Sequence, residues 1–173
     1  AKDMLSGIAD YLIDNELGTE QIADPKRVVA TQPGCVSASD LSLIRQQLLD
    51  TLDDELISEF SGCYLTTSKC ELDLPENELG FDVSELLQVI QRKDLIRLGG
   101  LGCLYFENSY QQGTVFINGE KVSLSADLAD VIPVLCNNPV LTAQRLAGWL
   151  ENSTFLEQMV VWMNKGYWYF DED

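Results

Sequence analysis

Hydrophobic positions recur along the first 60 residues at helical spacing. Met4, Leu5, Ile8, Tyr11, Leu12 and Ile13 supply the apolar face of a helix over residues 3–16, and Gly18 is placed to stop it. Residues 19–36 carry Pro25, Pro33 and Gly34 among polar side chains and read as a long loop. Ser37 then opens a helix. Asp40 stands three residues on, the spacing of a capping box, and Val36 and Leu41 are placed for a hydrophobic staple. Leu41, Ile44, Leu48, Leu52, Leu56 and Phe60 follow at steps of three and four, one apolar stripe on one or two helices. Gly62 is expected to break the run, with a further helical piece to about Cys70. The stretch from Asp73 to Gly80 combines Pro75, Gly80 and acidic residues and reads as a linker, so a domain boundary is expected there.

The second half changes rhythm. Asp82 caps a helix to about Arg92, with Glu85 at its third position. Short strands are predicted over Leu95–Leu98, Leu101–Glu107, Val115–Asn118 and Lys121–Leu124. Asn118-Gly119-Glu120 joins the last two, a strong hairpin signal that leaves the turn type open. A helix is expected from Ala126 to about Cys136. Thr142 caps another to Leu150, and Asn152 or Ser153 caps the last, which ends at Lys165 before Gly166. Tyr167 to Phe170 closes the sequence as an aromatic strand before three acidic residues. The fold class is therefore α+β, mostly helical: a helical region over residues 1–80, then a winged-helix-like domain over 81–173, with its tight turn between the last two helices.

Composition narrows the function. The chain has 173 residues, 28 acidic and 11 basic, a net charge of −17. Residues 1–80 hold 5 basic and 16 acidic side chains and the remainder 6 and 12, so neither part is basic. Phosphate backbones are gripped by clustered Lys and Arg, so no direct DNA binding and no anionic membrane partner are expected. The last helix reinforces this, having one Lys at its far end and no Arg, and Phe155, Leu156, Met159, Val160, Trp162 and Met163 make it mostly a core helix. No apolar run nears the ~20 residues of a membrane span, and no secretory signal opens the chain. It begins Ala-Lys-Asp, as a trimmed product or an excised fragment would.

Histidine is absent altogether. That excludes a His general base, a His-carboxylate iron centre and a His-bearing zinc site. The carboxylates Asp10, Asp14 and Glu16, and later Asp53, Asp54 and Glu55, read as solvated surface, and no alternating oxygen-ligand loop for calcium is present. Gly99-Gly100-Leu101-Gly102 lacks the Lys and Ser or Thr of a phosphate loop and reads as a turn between strands. The cysteines Cys35, Cys63, Cys70, Cys103 and Cys136 contain no C-x-x-C pair and read as buried reduced thiols in a cytoplasmic protein. No catalytic, cofactor-binding or metal-ligating residue is assigned. The surface singled out is apolar: Leu12, Ile13, Leu41, Ile44, Leu48 and Leu52 are the candidate interface of a homodimer, because some 80 residues of helix bury little alone.

Several collinear segments carry a family resemblance: Ala9 to Gly18, Asp24-Pro25, Glu71-Leu-Asp73, Ile96 to Leu101, Val115 to Glu120, Leu141-Thr142-Ala143 and Gly166 to Phe170. In this order and spacing the chain resembles the C-terminal half of the bacterial cupin-fold, JmjC-type ribosomal oxygenases. The resemblance implies an Fe(II)- and 2-oxoglutarate-dependent arginine hydroxylase of a ribosomal protein. Its N-terminal barrel would hold the iron through an H-x-D…H triad, bind 2-oxoglutarate through a basic residue and receive the ribosomal-protein substrate. A dimerisation region and an acidic winged helix not thought to read DNA would follow. With no histidine here, no catalytic residue carries over, and both cofactors are expected only in that barrel. The competing expectation is a stand-alone acidic winged-helix adaptor that binds proteins and has no enzymatic parent.

Overall fold

The computed structural model describes residues 2–18, 34–69, 72 and 80–170. The expected loop at 19–33, Cys70, the linker at 73–79 and the acidic tail lie outside the described residues, as do Asp24-Pro25, Glu71 and Asp73. The chain divides into two compact units, Ala1–Ser61 and Gly62–Asp173. This division falls ahead of residue 80, where the boundary was expected.

The first unit is helical. α1 spans Lys2–Asp14 and α2 spans Ala38–Thr51. Ser37 caps α2 as its sequence implies: its Oγ accepts from Asp40 N at 3.1 Å while Ser37 N donates to the Asp40 carboxylate at 3.2 Å. The stripe that follows is two helices, not one. α2 stops at Leu52, and Asp53 starts α3 (Asp54–Thr66) by accepting from Leu56 N at 2.8 Å. Asp53 is thus a cap rather than idle surface. Tyr11 ties α1 to α3, donating to Glu59 at 2.8 Å and meeting the Phe60 ring edge-on.

Gly62 does not break α3, which runs through it to Thr66. The glycine serves packing instead, since a Cβ there would overlap the Phe116 ring. The second unit begins at this close approach. α4 spans Val83–Ile90, with Asp82 as its cap. Six short strands follow in chain order: β1 Leu95–Arg97, β2 Cys103–Leu104, β3 Thr114–Ile117, β4 Glu120–Ser123, β5 Val140–Leu141 and β6 Trp168–Phe170. They form two antiparallel sheets, β5-β1-β6 and β2-β3-β4. In the first, Leu95 of the central strand pairs with Leu141 on one side and Phe170 on the other. The second is the wing. Ile117 pairs with Glu120 across a two-residue turn in which Asn118 and Gly119 both have positive φ, which makes it type I′.

Three expectations are corrected. The strand foreseen over Leu101–Glu107 shrinks to β2, and a 3-10 turn, Tyr110–Gln112, precedes β3. The helix from Ala126 to Cys136 is split into a 3-10 turn, Ala126–Leu128, and α5, Val131–Asn137. Pro133 explains the split: it has no N–H for a continuous helix but is tolerated in a first turn, so α5 restarts just ahead of it. The helix capped by Thr142 is only α6, Ala143–Leu146, after which Trp149 N donates to Leu146 O in a tighter turn. α7, Ser153–Asn164, ends one residue short of the expected Lys165, which is its C-cap, with Asn152 as N-cap and Gly166 in the left-handed region behind it.

The core lies in the second unit. Leu86, Leu95, Ile117, Leu128, Ile132, Leu135, Phe155, Trp162 and Trp168 are essentially inaccessible. Asn164 of α7 holds the start of α4 as a strand partner would. Its Oδ1 accepts from Phe81 N at 2.6 Å and its Nδ2 donates to Phe81 O at 3.2 Å. Thr66, also buried, donates to Gly62 O at 2.8 Å and accepts from Gly119 N at 2.9 Å, docking the wing turn on the end of α3.

Two predictions follow from these contacts. Gly62→Ala gains about 1 kcal/mol of helix propensity but overpacks against Phe116, costing about 1–3 kcal/mol. Its denaturant midpoint is expected to fall, whereas that of Gly148→Ala, which has open space around it, is expected to stay put. The Asp82 carboxyl is held below its ordinary value first by the Ser84 hydroxyl and then by Glu85 N–H. A depressed folded value means that the cap stabilises α4 above the unfolded carboxylate range, about pH 4, and is lost as pH falls through the lower folded value. Asp82→Asn keeps the cap, so its denaturant midpoint is expected to change less than the wild type's between neutral pH and about pH 3.

Candidate functional site

An iron centre of the expected kind needs two imidazoles and a carboxylate. This chain does not fit one: it has no histidine, and among the described residues no group of three or more His, Cys, Asp or Glu side chains is placed to hold a metal ion. Asp10, Asp14 and Glu16 are exposed, with no buried partner set around them. Gly99-Gly100 forms a turn between β1 and β2, closed by Leu101 N donating to Leu98 O.

The structure leaves the apolar face of the first unit in the open. α2 has no buried residue at all. Leu41 is 61% exposed, Ile44 44% and Leu48 59%, and on α1 Ile13 is 73% exposed. Leu12 and Leu52 are half-buried. Leu5, read as part of the first helix's apolar face but not of the interface, is 70% exposed, and Leu49, not singled out, is 58% exposed. Both were legible as eight-residue repeats, Leu5 sharing a helix face with Ile13 and Leu49 with Leu41. Exposed apolar side chains thus recur along both helices of a strongly charged chain. Among the described residues no helix is long and apolar enough to cross a membrane.

In the second unit the helix that would enter a DNA groove in a DNA-reading winged helix is turned inward. Phe155, Leu156, Met159, Trp162 and Met163 of α7 are buried. Its exposed positions, Ser153, Thr154, Glu157, Val161 and Asn164, include no cation, and Asn164 is engaged with Phe81. The basic side chains nearby are engaged too. Lys165 pairs with Glu120 at 2.8 Å, which raises the lysine's pKa. Arg145 donates to Val140 O at 2.6 Å, and Arg97 donates to Leu135 O and Cys136 O. The thiols among the described residues vary in burial: Cys35 is exposed, Cys63 and Cys103 are half-buried and Cys136 is buried, so burial as small hydrophobes does not describe them all.

Comparison with known proteins agrees with this architecture. The model of the ROXA-like winged helix matches residues 44–169. The ribosomal protein uL16 3-hydroxylase of Escherichia coli (strain K12) is 28% identical over 172 residues, which cover 98% of this chain and 44% of that protein. The crystal structure of the Escherichia coli ribosomal oxygenase YcfD superposes with a TM-score of 0.85 at 28% identity, covering 99% of this chain and 46% of that one. The structure of YcfD in complex with cobalt and 2-oxoglutarate gives 0.84 at the same identity, again covering 99% and 46%. The chain therefore spans less than half the length of the relatives it matches. Its inward-facing α7, its wing and the family match over most of its length make it a member of the ROXA-like winged-helix family.

Proposed function

We propose that this chain is the non-catalytic C-terminal part, dimerisation region and winged helix, of an Fe(II)- and 2-oxoglutarate-dependent ribosomal-protein arginine hydroxylase of the cupin/JmjC family, acting in the cytoplasm. The observation that carries this reading is the alignment of 98% of the chain with under half of a uL16 3-hydroxylase. The histidine-free sequence supports the same division of labour, since iron and 2-oxoglutarate would belong to a barrel outside these residues. The winged helix binds protein rather than nucleic acid on this reading, supported by the buried face of α7 and the net charge of −17. Residues 1–80 supply the dimer contact, supported by the exposure of Ile13, Leu41, Ile44 and Leu48, with Leu12 and Leu52 at its margin.

The reading frame upstream of Ala1 tests the parentage. An in-frame barrel bearing H-x-D…H, whose full product hydroxylates a ribosomal protein, supports the proposal. An initiating Met at this boundary points instead to a stand-alone adaptor. The dimer is tested on the chain itself by size exclusion with light scattering. Ile13→Arg and Leu48→Arg are expected to weaken self-association roughly tenfold or more, about 1.4 kcal/mol, by placing a charge in an apolar contact. Because both side chains are exposed in the single chain, the variants should fold with stability changed by about 0.5 kcal/mol or less. The wild type's melting temperature should rise with protein concentration and the variants' should not. A monomeric wild type at high concentration contradicts the assignment.

A further inference from the structure

Two thiols from distant parts of the sequence meet in the winged-helix unit. Cys103 lies on β2 and Cys136 in the last turn of α5, and their sulfurs are 3.1 Å apart. That is about 1 Å longer than a disulfide bond. Arg97, on β1, stands beside them. Its Nη1 donates to Cys136 O at 2.9 Å and Leu135 O at 3.2 Å, satisfying carbonyls that a helix C-terminus leaves unpaired. The guanidinium is thereby held at the end of α5, and its charge acts on both thiols. Cys103 is half-buried, whereas Cys136 is buried.

We propose that Cys103 and Cys136 form a dithiol modification site, converted to an intramolecular disulfide by a low-molecular-weight disulfide such as oxidised glutathione. The greater exposure of Cys103 and the charge beside the pair set the order of attack. Hydrogen bonding from Cys136 and the charge of Arg97 pull the Cys103 thiol down, against its burial, while hydrogen bonding to Cys103 and burial push Cys136 up. The Cys103 thiolate is therefore the nucleophile. It attacks one sulfur of the small disulfide, whose S–S bond breaks and releases one small thiolate. Cys103 is then an uncharged mixed disulfide, so the repulsion that kept Cys136 protonated is gone while Arg97 remains. Cys136 loses its proton to solvent and attacks the Cys103 sulfur, and the second small thiolate leaves. The protein loses two electrons and two protons, and the small disulfide gains them to become two thiols. The product clamps the wing strand to α5, and reduced glutathione reverses it.

The folded 173-residue chain is incubated with oxidised glutathione, quenched in acid, alkylated and digested with trypsin, which places Cys103 in peptide 98–121 and Cys136 in peptide 122–145. The expected result is a joined pair of peptides with the loss of two hydrogens, undone by excess reduced glutathione. Cys136→Ser should retain a glutathione adduct on Cys103, and Cys103→Ser should leave Cys136 free. Full alkylation of both thiols in the wild type overturns the proposal, as does a crosslink from Cys35 or Cys63 to either of them. A glutathione adduct forming on Cys136 in Cys103→Ser as fast as on Cys103 in Cys136→Ser overturns the order of attack. The wild-type readout needs no variant, so a serine variant that fails to fold leaves the test standing.

Discussion

The burial of α7 is the constraint on which the winged-helix unit depends. Five of its side chains enter the core, and the Trp162 ring lies 5.5 Å from that of Trp168 on β6. Aromatic side chains of this size dominate a small core energetically. Gly166 turns the chain back through the left-handed region, so β6 lies against β1. Asn164 fixes the opposite edge by gripping the backbone of Phe81. The face that α7 keeps outside, Ser153, Thr154, Glu157, Val161 and Asn164, carries no cation.

The first unit has the complementary economy. Its helices are well started, by the Ser37–Asp40 box and by Asp53, yet α2 buries none of its side chains within the chain. Capping fixes where a helix begins but contributes about 1 kcal/mol, and most helix stability in proteins comes from packing an apolar face. α2 therefore has sound ends but draws little of that packing from its own chain.

The sequence was most legible where local chemistry decides structure. Ser37, Asp82, Thr142 and Asn152 all cap as their positions imply, and Asn118-Gly119 turns the hairpin. It was least legible where tertiary contact overrides local preference. Gly62 reads as a helix breaker, but the Phe116 ring that requires it lies 54 residues away. β5 is two residues long and exists because β1 offers it a partner, which no periodicity announces. Pro133 was visible, and the split it causes between 128 and 131 followed from its missing N–H. Of the proposed interface residues, Ile13, Leu41, Ile44 and Leu48 are exposed, and helical spacing alone groups them. The Cys103–Cys136 contact was not legible, because 33 residues and three strands' worth of folding bring the sulfurs together.

The hairpin turn carries one more consequence. An Asn-Gly pair in a loose chain ages chemically, because the glycine nitrogen closes a ring onto the asparagine amide and ammonia is expelled. Here that nitrogen is engaged with the Thr66 hydroxyl, and the Asn118 amide donates to the Tyr167 hydroxyl at 3.3 Å. Each reacting end thus has a hydrogen-bond partner, Thr66 for the nitrogen and Tyr167 for the amide, so the durability of this one peptide link reports whether those two contacts are intact.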